Sequence, residues 1–318
     1  MRRGVGGRAD SRRLRSLLCQ FSNRAEISTL SSFSSFSLAR FPVIIITIIL
    51  NPSNMATSSL SHRDINVLEK IRDPESDPST GVLVDSNLPK DPVITDPDTY
   101  ERVVQRERDI VLAMQQIEVR ISASKQRPSE AAKEYRACVS TLGQLISDYP
   151  RYASARNNRA QALRRLYGDL MMLPGRTDTE ALVPDASAAE KSEAVATALG
   201  DLDEAIKLLT PRSLFTAISP QAGKTLSMAH TQRAAIYHLT SKALLQPEDG
   251  VEVGGARKES GWARIEFEGA ASRDFALGGR YGNDIAKGLA VSTNPTAKLC
   301  GEIVREAMKK EYGPAFEV

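Results

Sequence analysis

The amino-acid sequence predicts an all-α fold, in which three helix–turn–helix repeats follow one another and a C-terminal helix caps the stack. Apolar residues recur at three- and four-residue steps from Asp98 almost to the end of the chain, which is the period of an amphipathic helix. Pro150 and Pro211 each stand where a predicted helix must end. Aromatic residues make up only 5% of the chain, which favours helical packing over a β-sandwich.

The first repeat is predicted between Asp98 and Pro150. Pro128 marks the break between its two helices, and Ser129 is the predicted N-cap of the second helix. The apolar positions of the two helices are Val103, Val104, Ile110, Val111, Met114, Ile117, Ile121, Tyr135, Cys138, Leu142 and Leu145. This spacing gives each helix one apolar face for its neighbours.

The second repeat opens with a helix from Ala153, whose small residues allow two helices to approach closely. Its second helix is predicted over Gly200–Leu209, with Gly200 in the turn that enters it. An insertion at about 171–196 separates the two helices and is predicted to be partly helical near 188–198. Such insertions map to one face of a solenoid, where they are functional or merely tolerated.

The third repeat follows Pro220, with helices predicted over 225–245 and 262–277 and a Gly-rich insertion at 246–260 between them. A short helical piece at 283–290 comes next. Pro295 suits the first position of a last helix, which we predict to be the cap that shields the open end of the stack. The apolar face of this helix consists of Leu299, Ile303, Val304, Ala307 and Met308.

Residues 1–54 differ in composition from the rest of the chain, since they carry eight arginines and two acidic residues. This composition is typical of a mitochondrial transit peptide. Met55 also looks like an ordinary start, so upstream sequence added by a wrong start codon is an alternative. The apolar run at 41–50 is shorter than the roughly 20 residues of a membrane-spanning helix, and no membrane association is expected.

The predicted organisation therefore has four parts. Residues 1–54 are a disordered or mis-annotated N-terminal extension, and residues 55–97 are a flexible Pro-rich arm. Residues 98–312 form the repeat domain, and residues 313–318 are a tail.

Charge and cysteine content exclude several classes of function. Beyond residue 54 the chain has 34 basic and 37 acidic residues, so the folded part is mildly acidic and nucleic-acid binding is not expected. Three cysteines at unrelated spacings indicate free thiols in a reducing compartment. We expect a cytoplasmic protein, with a nuclear pool left open, or a mitochondrial one if residues 1–54 are a genuine transit peptide.

No pattern in the sequence predicts catalysis, a metal or a cofactor. His230 and His238 are eight residues apart, and no Cys or His cluster accompanies them. Ala222–Thr225 looks like the end of a phosphate-binding loop, but the preceding glycine is missing and no strand comes before it. No paired carboxylates or nucleophile with a base share a predicted face. The chain is therefore predicted not to be an enzyme.

Several stretches resemble one family, the tetratricopeptide repeat protein 36 family, in a fungal-type version with insertions. The resemblance covers about Glu107–Lys310 and is most specific in the tail. It is carried by ASARNNRAQA at 153–162, GDLDEA at 200–205, QRA at 232–234, RDFALG at 273–278 and NPTAKLC at 294–300. It implies a tetratricopeptide-repeat solenoid that acts as an adaptor without catalytic residues. It also implies a link of the animal members to the Hsp70 chaperone and to tyrosine metabolism.

We predict a non-catalytic adaptor that binds a protein segment in the concave face of the solenoid. The groove residues are expected to be Asn157, Asn158, Arg159, His230 and Arg233. Their alternative role is to form hydrogen bonds between helices.

A more specific hypothesis is a cofactor of an Hsp70-type chaperone that recognises an acidic C-terminal tail. Asn158 occupies a position of the carboxylate clamp that such proteins use, but Met228 and Gln232 replace its Lys and Arg. The sequence therefore offers an incomplete clamp.

Overall fold

A computed structural model describes residues 82–173, 175–213, 216–245, 250–254 and 257–313. The predictions for residues 1–54, for the first part of the arm and for the last tail residues lie outside this part of the chain. All regular structure within the described residues is helical apart from one isolated β-bridge between Val84 and Ile218, so the all-α prediction is confirmed there.

Eight α-helices and a short 3₁₀ helix follow one another in the described residues, and proline or a capping side chain explains most of their starts. Asp96, Ser187, Ser219 and Asn294 each accept a hydrogen bond from a backbone N–H of the first helical turn. The helices are α1 (Pro97–Ser122), α2 (Pro128–Asp148), α3 (Ala153–Tyr167), α4 (Ala188–Leu209), α5 (Pro220–Ala243), the 3₁₀ helix (Lys258–Gly261), α6 (Arg264–Arg280), α7 (Asp284–Thr293) and α8 (Pro295–Tyr312).

Helices α1 and α2 form an antiparallel hairpin. Arg106, near the start of α1, contacts Asp148 at the end of α2 at 2.8 Å. Glu118, near the end of α1, accepts a hydrogen bond of 2.7 Å from the hydroxyl of Tyr135 in the first half of α2. The two contacts run in opposite chain directions, as an antiparallel pair requires.

The next four helices form two further antiparallel hairpins. Tyr167 at the end of α3 donates a hydrogen bond of 2.8 Å to Glu190 at the start of α4. Ser227 near the start of α5 donates to the backbone carbonyl of Gly278 near the end of α6 at 2.7 Å. The first six helices therefore make three hairpins in chain order.

The hairpins stack in the same orientation. Asn158 of α3 donates to Glu107 of α1 at 2.7 Å, and Arg165, two turns further along α3, reaches Glu118 of α1, also at 2.7 Å. Both contacts advance together along the two helices, so α1 and α3 run parallel.

Gln232 of α5 contacts Asn157 near the start of α3. Thr240, further along α5, contacts Met172 just beyond the end of α3. Helices α3 and α5 therefore also run parallel, and the first helices of the hairpins form one row.

Helix α5 is the centre of the apolar core. Sixteen of its 24 residues are buried, which distinguishes it from an amphipathic surface helix with one wet face. The largest fully buried side chains of the core include Leu226 and Ile236 of α5, Leu199 and Leu202 of α4, and Phe267 and Phe275 of α6.

The turn predicted at Gly200 is wrong. Helix α4 runs without a break over Ala188–Leu209, so Gly200 lies in its interior and the irregular part of the insertion ends at Ser187. A glycine inside a helix costs about 1 kcal/mol relative to alanine, and burial of the apolar side chains around it outweighs that cost. Leu199 and Leu202 on either side are both fully buried.

Two predicted helix starts also differ from the structure. Helix α2 begins at Pro128 rather than after Ser129, because proline already has the backbone angle of a first helical residue. Helix α5 begins at Pro220 and not at Thr225, since Ser219 caps it through the backbone N–H of Ala222. The segment that looked like a phosphate-binding loop therefore lies inside this helix.

The first insertion packs against the end of the second hairpin. The backbone N–H of Val183 donates to the carbonyl of Leu166 in α3 at 2.9 Å. Met172 is fully buried, and its sulfur accepts a hydrogen bond of 3.5 Å from the hydroxyl of Thr240 in α5. The insertion thus fixes the C-terminal ends of α3 and α5.

The second insertion meets the first. The backbone N–H of Glu252 donates to the carbonyl of Met172 at 2.9 Å. Glu259, which is 1% exposed, accepts a hydrogen bond of 2.7 Å from the hydroxyl of Tyr237 in α5. The two insertions therefore close the same end of the hairpins and belong to the core.

The prediction that the last helix shields the end of the stack is wrong for the described residues. Helix α8 has no buried residue, and Leu299, Ile303 and Val304 are each 57% exposed. Helix α7 takes the place against α6 instead, where the hydroxyl of Ser272 donates to the carbonyl of Ala290 at 2.8 Å. The face of α6 is thus already covered when the chain reaches α8.

The last part of the predicted arm contacts the helical unit. The backbone N–H of Asp85 donates to the carbonyl of Ile218 at 3.0 Å, and the hydroxyl of Ser219 donates to the carbonyl of Lys90 at 3.1 Å. These contacts join residues of the 82–97 segment to the helical unit, and the domain boundary predicted at residue 98 stays a prediction. No helix among the described residues is long and apolar enough to cross a membrane.

Candidate functional site

The five residues predicted to line a groove lie on α3 and α5, where they form a polar belt between helices. We use the name polar belt for Asn157, Asn158, Arg159, His230 and Arg233 together with the side chains that they contact. Asn157 and His230 are buried, and the other three are partly exposed. Each of the five has a hydrogen-bond partner on another helix.

The two asparagines of the belt connect α3 to both of its neighbours in the row of first helices. The side-chain carbonyl of Asn157 accepts a hydrogen bond of 2.8 Å from the amide of Gln232 in α5. The amide of Asn158 donates to Glu107 in α1 at 2.7 Å. Asn157 is only 2% exposed, so in this structure its side-chain carbonyl serves as the hydrogen-bond acceptor for the buried amide of Gln232.

Arg159 forms a bidentate ion pair across the second hairpin. Its Nε and Nη2 atoms donate to the two carboxylate oxygens of Asp201 in α4, at 2.6 and 2.8 Å. Asp201 is 2% exposed and also accepts a hydrogen bond of 3.1 Å from Arg156. Two arginines on one buried carboxylate compensate for its loss of hydration.

His230 and Arg233 converge on Asp274 of α6. His230 Nδ1 lies 2.9 Å from one oxygen of Asp274, and Arg233 contacts both oxygens at 2.7 and 2.8 Å. Arg233 also donates to Asp203 of α4 at 2.7 Å. The imidazole of His230 stacks on the ring of Tyr281, with 6.2 Å between the ring centroids.

The charges of this cluster stabilise one another. Burial alone would raise the pKa of Asp274, but the hydrogen bonds from Arg233 and His230 outweigh it and hold that pKa below its ordinary value. Burial would likewise lower the pKa of Arg233, yet its carboxylate partners raise it. Asp274 is therefore ionised at neutral pH and acts as an acceptor.

Most of the polar atoms of the belt are engaged with one another. Asp201 and Asp274 are occupied by arginine or histidine donors, whereas Glu107 accepts from the amide of Asn158. The partly exposed edges of Asn158, Arg159 and Arg233 are the parts that a partner could reach. Contact of these residues with a partner stays a prediction. Their alternative role, hydrogen bonding between helices, is what the observed geometry displays.

Sequence reasoning missed the acidic half of the belt. Asp201 and Asp274 stand in two of the stretches that carried the family resemblance, and this was the available signal. Glu107 lies outside the stretches that carry the resemblance, and nothing in the sequence distinguishes it from the other polar residues of α1. Its pairing with a residue 51 positions later cannot be read from helical periodicity.

Among the described residues, no three His, Cys, Asp or Glu side chains lie close enough together to hold a metal ion. The two cysteines in this part of the chain, Cys138 and Cys300, are free thiols. Burial raises the pKa of Cys138 and thereby disfavours the reactive thiolate.

Comparison with known proteins gives the family. No family model and no solved structure matches the chain. The L-tyrosine degradation gene cluster protein hmgX of Aspergillus fumigatus is 35% identical to this chain over 256 residues, which are 80% of this chain and 93% of the relative. The chain belongs to the hmgX family. The match spans nearly the whole length of that relative.

The name of the hmgX relative refers to L-tyrosine degradation, and the resemblance to tetratricopeptide repeat protein 36 implies a link to tyrosine metabolism. The tetratricopeptide assignment itself receives no support from a family model and stays a prediction.

Proposed function

We propose that this hmgX-family protein is a non-catalytic adaptor of L-tyrosine degradation, which binds a segment of a partner protein along its stacked hairpins. The relative named for an L-tyrosine degradation gene cluster is the observation that carries the metabolic part. A cytoplasmic location is part of the proposal, because free thiols such as Cys138 and Cys300 suit a reducing compartment.

The adaptor part rests on the stacking of the hairpins. Three antiparallel hairpins in one orientation, with their first helices in a row, support the proposal of a tetratricopeptide-like solenoid. Solenoids of this kind use an extended face for peptide or protein segments. We therefore propose that α1, α2, α3, α4, α5 and α6 are three tetratricopeptide-like repeats.

The accessible part of the row of first helices is the surface that we propose for the partner. Helix α3 contributes Asn158 and Arg159, and helix α5 contributes Met228 and Arg233, all partly exposed. The mixture of an amide, two guanidinium groups and a thioether suits a segment with both polar and apolar side chains. No contact favours the carboxylate clamp, because the side-chain amide of Gln232 is hydrogen-bonded to Asn157.

Site-specific photo-crosslinking tests the location of the partner. A photoreactive phenylalanine analogue at Met228, on the row of first helices, is compared with the same analogue at Lys133, which is exposed on α2. We expect a protein adduct in cells grown on L-tyrosine from position 228 and none from position 133. An adduct from position 133 alone would place the partner on the second helices and overturn the groove.

Growth on L-tyrosine tests the metabolic part separately. Loss of the gene is expected to slow growth when L-tyrosine is the sole carbon source and to leave growth on glucose unchanged. Unimpaired growth of the deletion strain on L-tyrosine would contradict a role in its degradation, whatever the crosslinking result.

A further inference from the structure

Glu107 is a buried carboxyl group at the joint between α1 and α3. Its side chain lies on α1, and the residue is only 7% exposed. One oxygen accepts a hydrogen bond of 2.7 Å from the amide of Asn158, and the other accepts one of 2.5 Å from the hydroxyl of Tyr152 just before α3. The hydroxyl of Ser154 also bonds to this carboxyl group.

The partners of Glu107 differ from those of three buried acids that contact the other helices. Asp201, Asp274 and Glu259 are each paired with an arginine at 3.0 Å or less. In the described residues, the groups that donate to Glu107 are all neutral. A buried carboxylate without a cation is costly, because neutral donors replace only part of its hydration.

A second carboxyl group increases this cost. Asp91, in the segment before α1, is 6% exposed and acts on Glu107 through its charge. Burial raises the pKa of Glu107, the charge of Asp91 adds to this effect, and the hydrogen bonds from Tyr152, Ser154 and Asn158 oppose it without cancelling it. The protonated form is therefore favoured more than in an exposed glutamate.

Other charged groups near the joint are engaged with partners other than Glu107. On α2 the charged group near this level is Asp148, which is paired with Arg106 of α1 at 2.8 Å. Lys90, in the segment before α1, lies over the ring of Tyr100 at 5.9 Å from its centroid. From α3 and the turn before it, Glu107 faces Tyr152, Ser154 and Asn158.

We propose that Glu107 is a proton-binding switch, which holds α1 firmly against α3 when its carboxyl group is protonated and loosens this joint when the group ionises. The inference is independent of the proposed adaptor function, because it concerns the stability of the first hairpin on the second. The element that responds is α1 together with the segment from residue 82 that precedes it.

The direction in which pH changes the stability of the joint follows from the raised pKa of Glu107. The pKa of Glu107 in the folded chain lies above the ordinary value of 4.5. A group with a raised pKa contributes stability that is fully present below its unfolded value and is lost as pH rises through its folded value. The contribution of Glu107 to the joint is therefore largest in acid and declines toward neutral and alkaline pH.

Hydrogen exchange of the full chain measures this effect, with rates corrected for the intrinsic pH dependence of exchange. We expect the protection of α1 peptides to fall with rising pH, by up to about tenfold per pH unit while Glu107 titrates. The Glu107→Gln variant, which cannot ionise there, should show an almost flat profile. Protection of α5 peptides serves as the internal reference.

Glu118→Gln is the matched control, since Glu118 lies on the same helix but is paired with Arg165 of α3. This variant should keep the pH-dependent loss of protection in α1. Equal pH profiles for the wild-type chain and Glu107→Gln would overturn the proposal.

Carbon-13 NMR of the labelled glutamate carboxyl groups gives a second readout that does not depend on local unfolding. The signal missing from the Glu107→Gln spectrum identifies Glu107, and its titration midpoint is expected above 4.5. If the variant fails to fold, Tyr152→Phe is used instead, and loss of that donor should move the midpoint further upward. A midpoint at or below 4.5 for Glu107 would refute the switch.

Discussion

Asp274 shows, at the scale of a single residue, how the polar belt is stabilised. It is 4% exposed and receives hydrogen bonds from His230 and from both ends of the Arg233 guanidinium group. Neutralising Asp274 leaves Arg233 with only its second carboxylate partner, Asp203, and removes the acidic partner of the buried His230. Breaking such a buried pair costs about 3–5 kcal/mol, because the remaining charge loses its compensation.

Replacing Asp274 by asparagine should therefore lower the free energy of unfolding by about 3 kcal/mol at pH 7. The pKa of Asp274 is lowered in the folded chain, so its contribution is present above the ordinary value of 3.8 and is lost as pH falls through the folded value. Urea unfolding at several pH values should show the difference between the two proteins shrinking in acid.

Asp148→Asn is the control for this substitution, because Asp148 contacts Arg106 at an exposed position. Its effect on urea unfolding at pH 7 should be much smaller. Similar losses for the two variants would mean that the buried cluster contributes no more than a surface ion pair.

Helix α4 shows, at the scale of an element, that packing decides where a helix ends. The sequence Gly-Asp at 200–201 is typical of a turn, yet both residues lie inside a 22-residue helix. Asp201 does not break the helix because its carboxylate receives Arg156 and Arg159 of α3. A position that local propensity assigns to a turn thus becomes a contact between helices.

Gly200→Ala is expected to stabilise the protein by about 1 kcal/mol, since alanine is the better helix former and a Cβ atom at this position meets no atom within 4 Å. The matched control is Gly279→Ala in α6, where the added Cβ would lie 2.7 Å from the backbone of Lys287 in α7. That substitution should destabilise. Thermal unfolding of both variants tests the pair, and a destabilised Gly200→Ala protein would contradict an unbroken α4.

The two insertions matter at the scale of the whole molecule. Both contact the C-terminal end of α5, and they contact each other through the backbone of Met172. A tolerated surface loop would leave the core unchanged when its side chains are truncated. These insertions instead complete the core at one end of the hairpins.

Met172→Ala should consequently lower the free energy of unfolding by about 2–5 kcal/mol, as expected for truncation of a fully buried side chain. Thr179→Ala, at an exposed position of the same insertion, should change it by less than about 0.5 kcal/mol. Denaturant unfolding measures both, and a loss below 1 kcal/mol for Met172→Ala would show that the insertion is not part of the core.

The sequence alone determined most of the helical segments, though not all of their bounds, because apolar residues with a period of three to four and proline or asparagine at helix starts are local signals. Asn294 and Pro295, for example, begin α8 as predicted. It also contained Asp201 and Asp274 within the stretches that resemble a known family.

Only the tertiary structure decided which faces and partners these helices have. Glu107 meets Asn158 across 51 residues, the insertions join the core, and α8 leaves its apolar face exposed because α7 already covers α6. Such contacts depend on the relative placement of distant segments, which helical periodicity does not encode. Polar side chains of the belt such as Asn157 and His230 are buried because of how their helices are placed against one another. Their residue types alone would not predict burial.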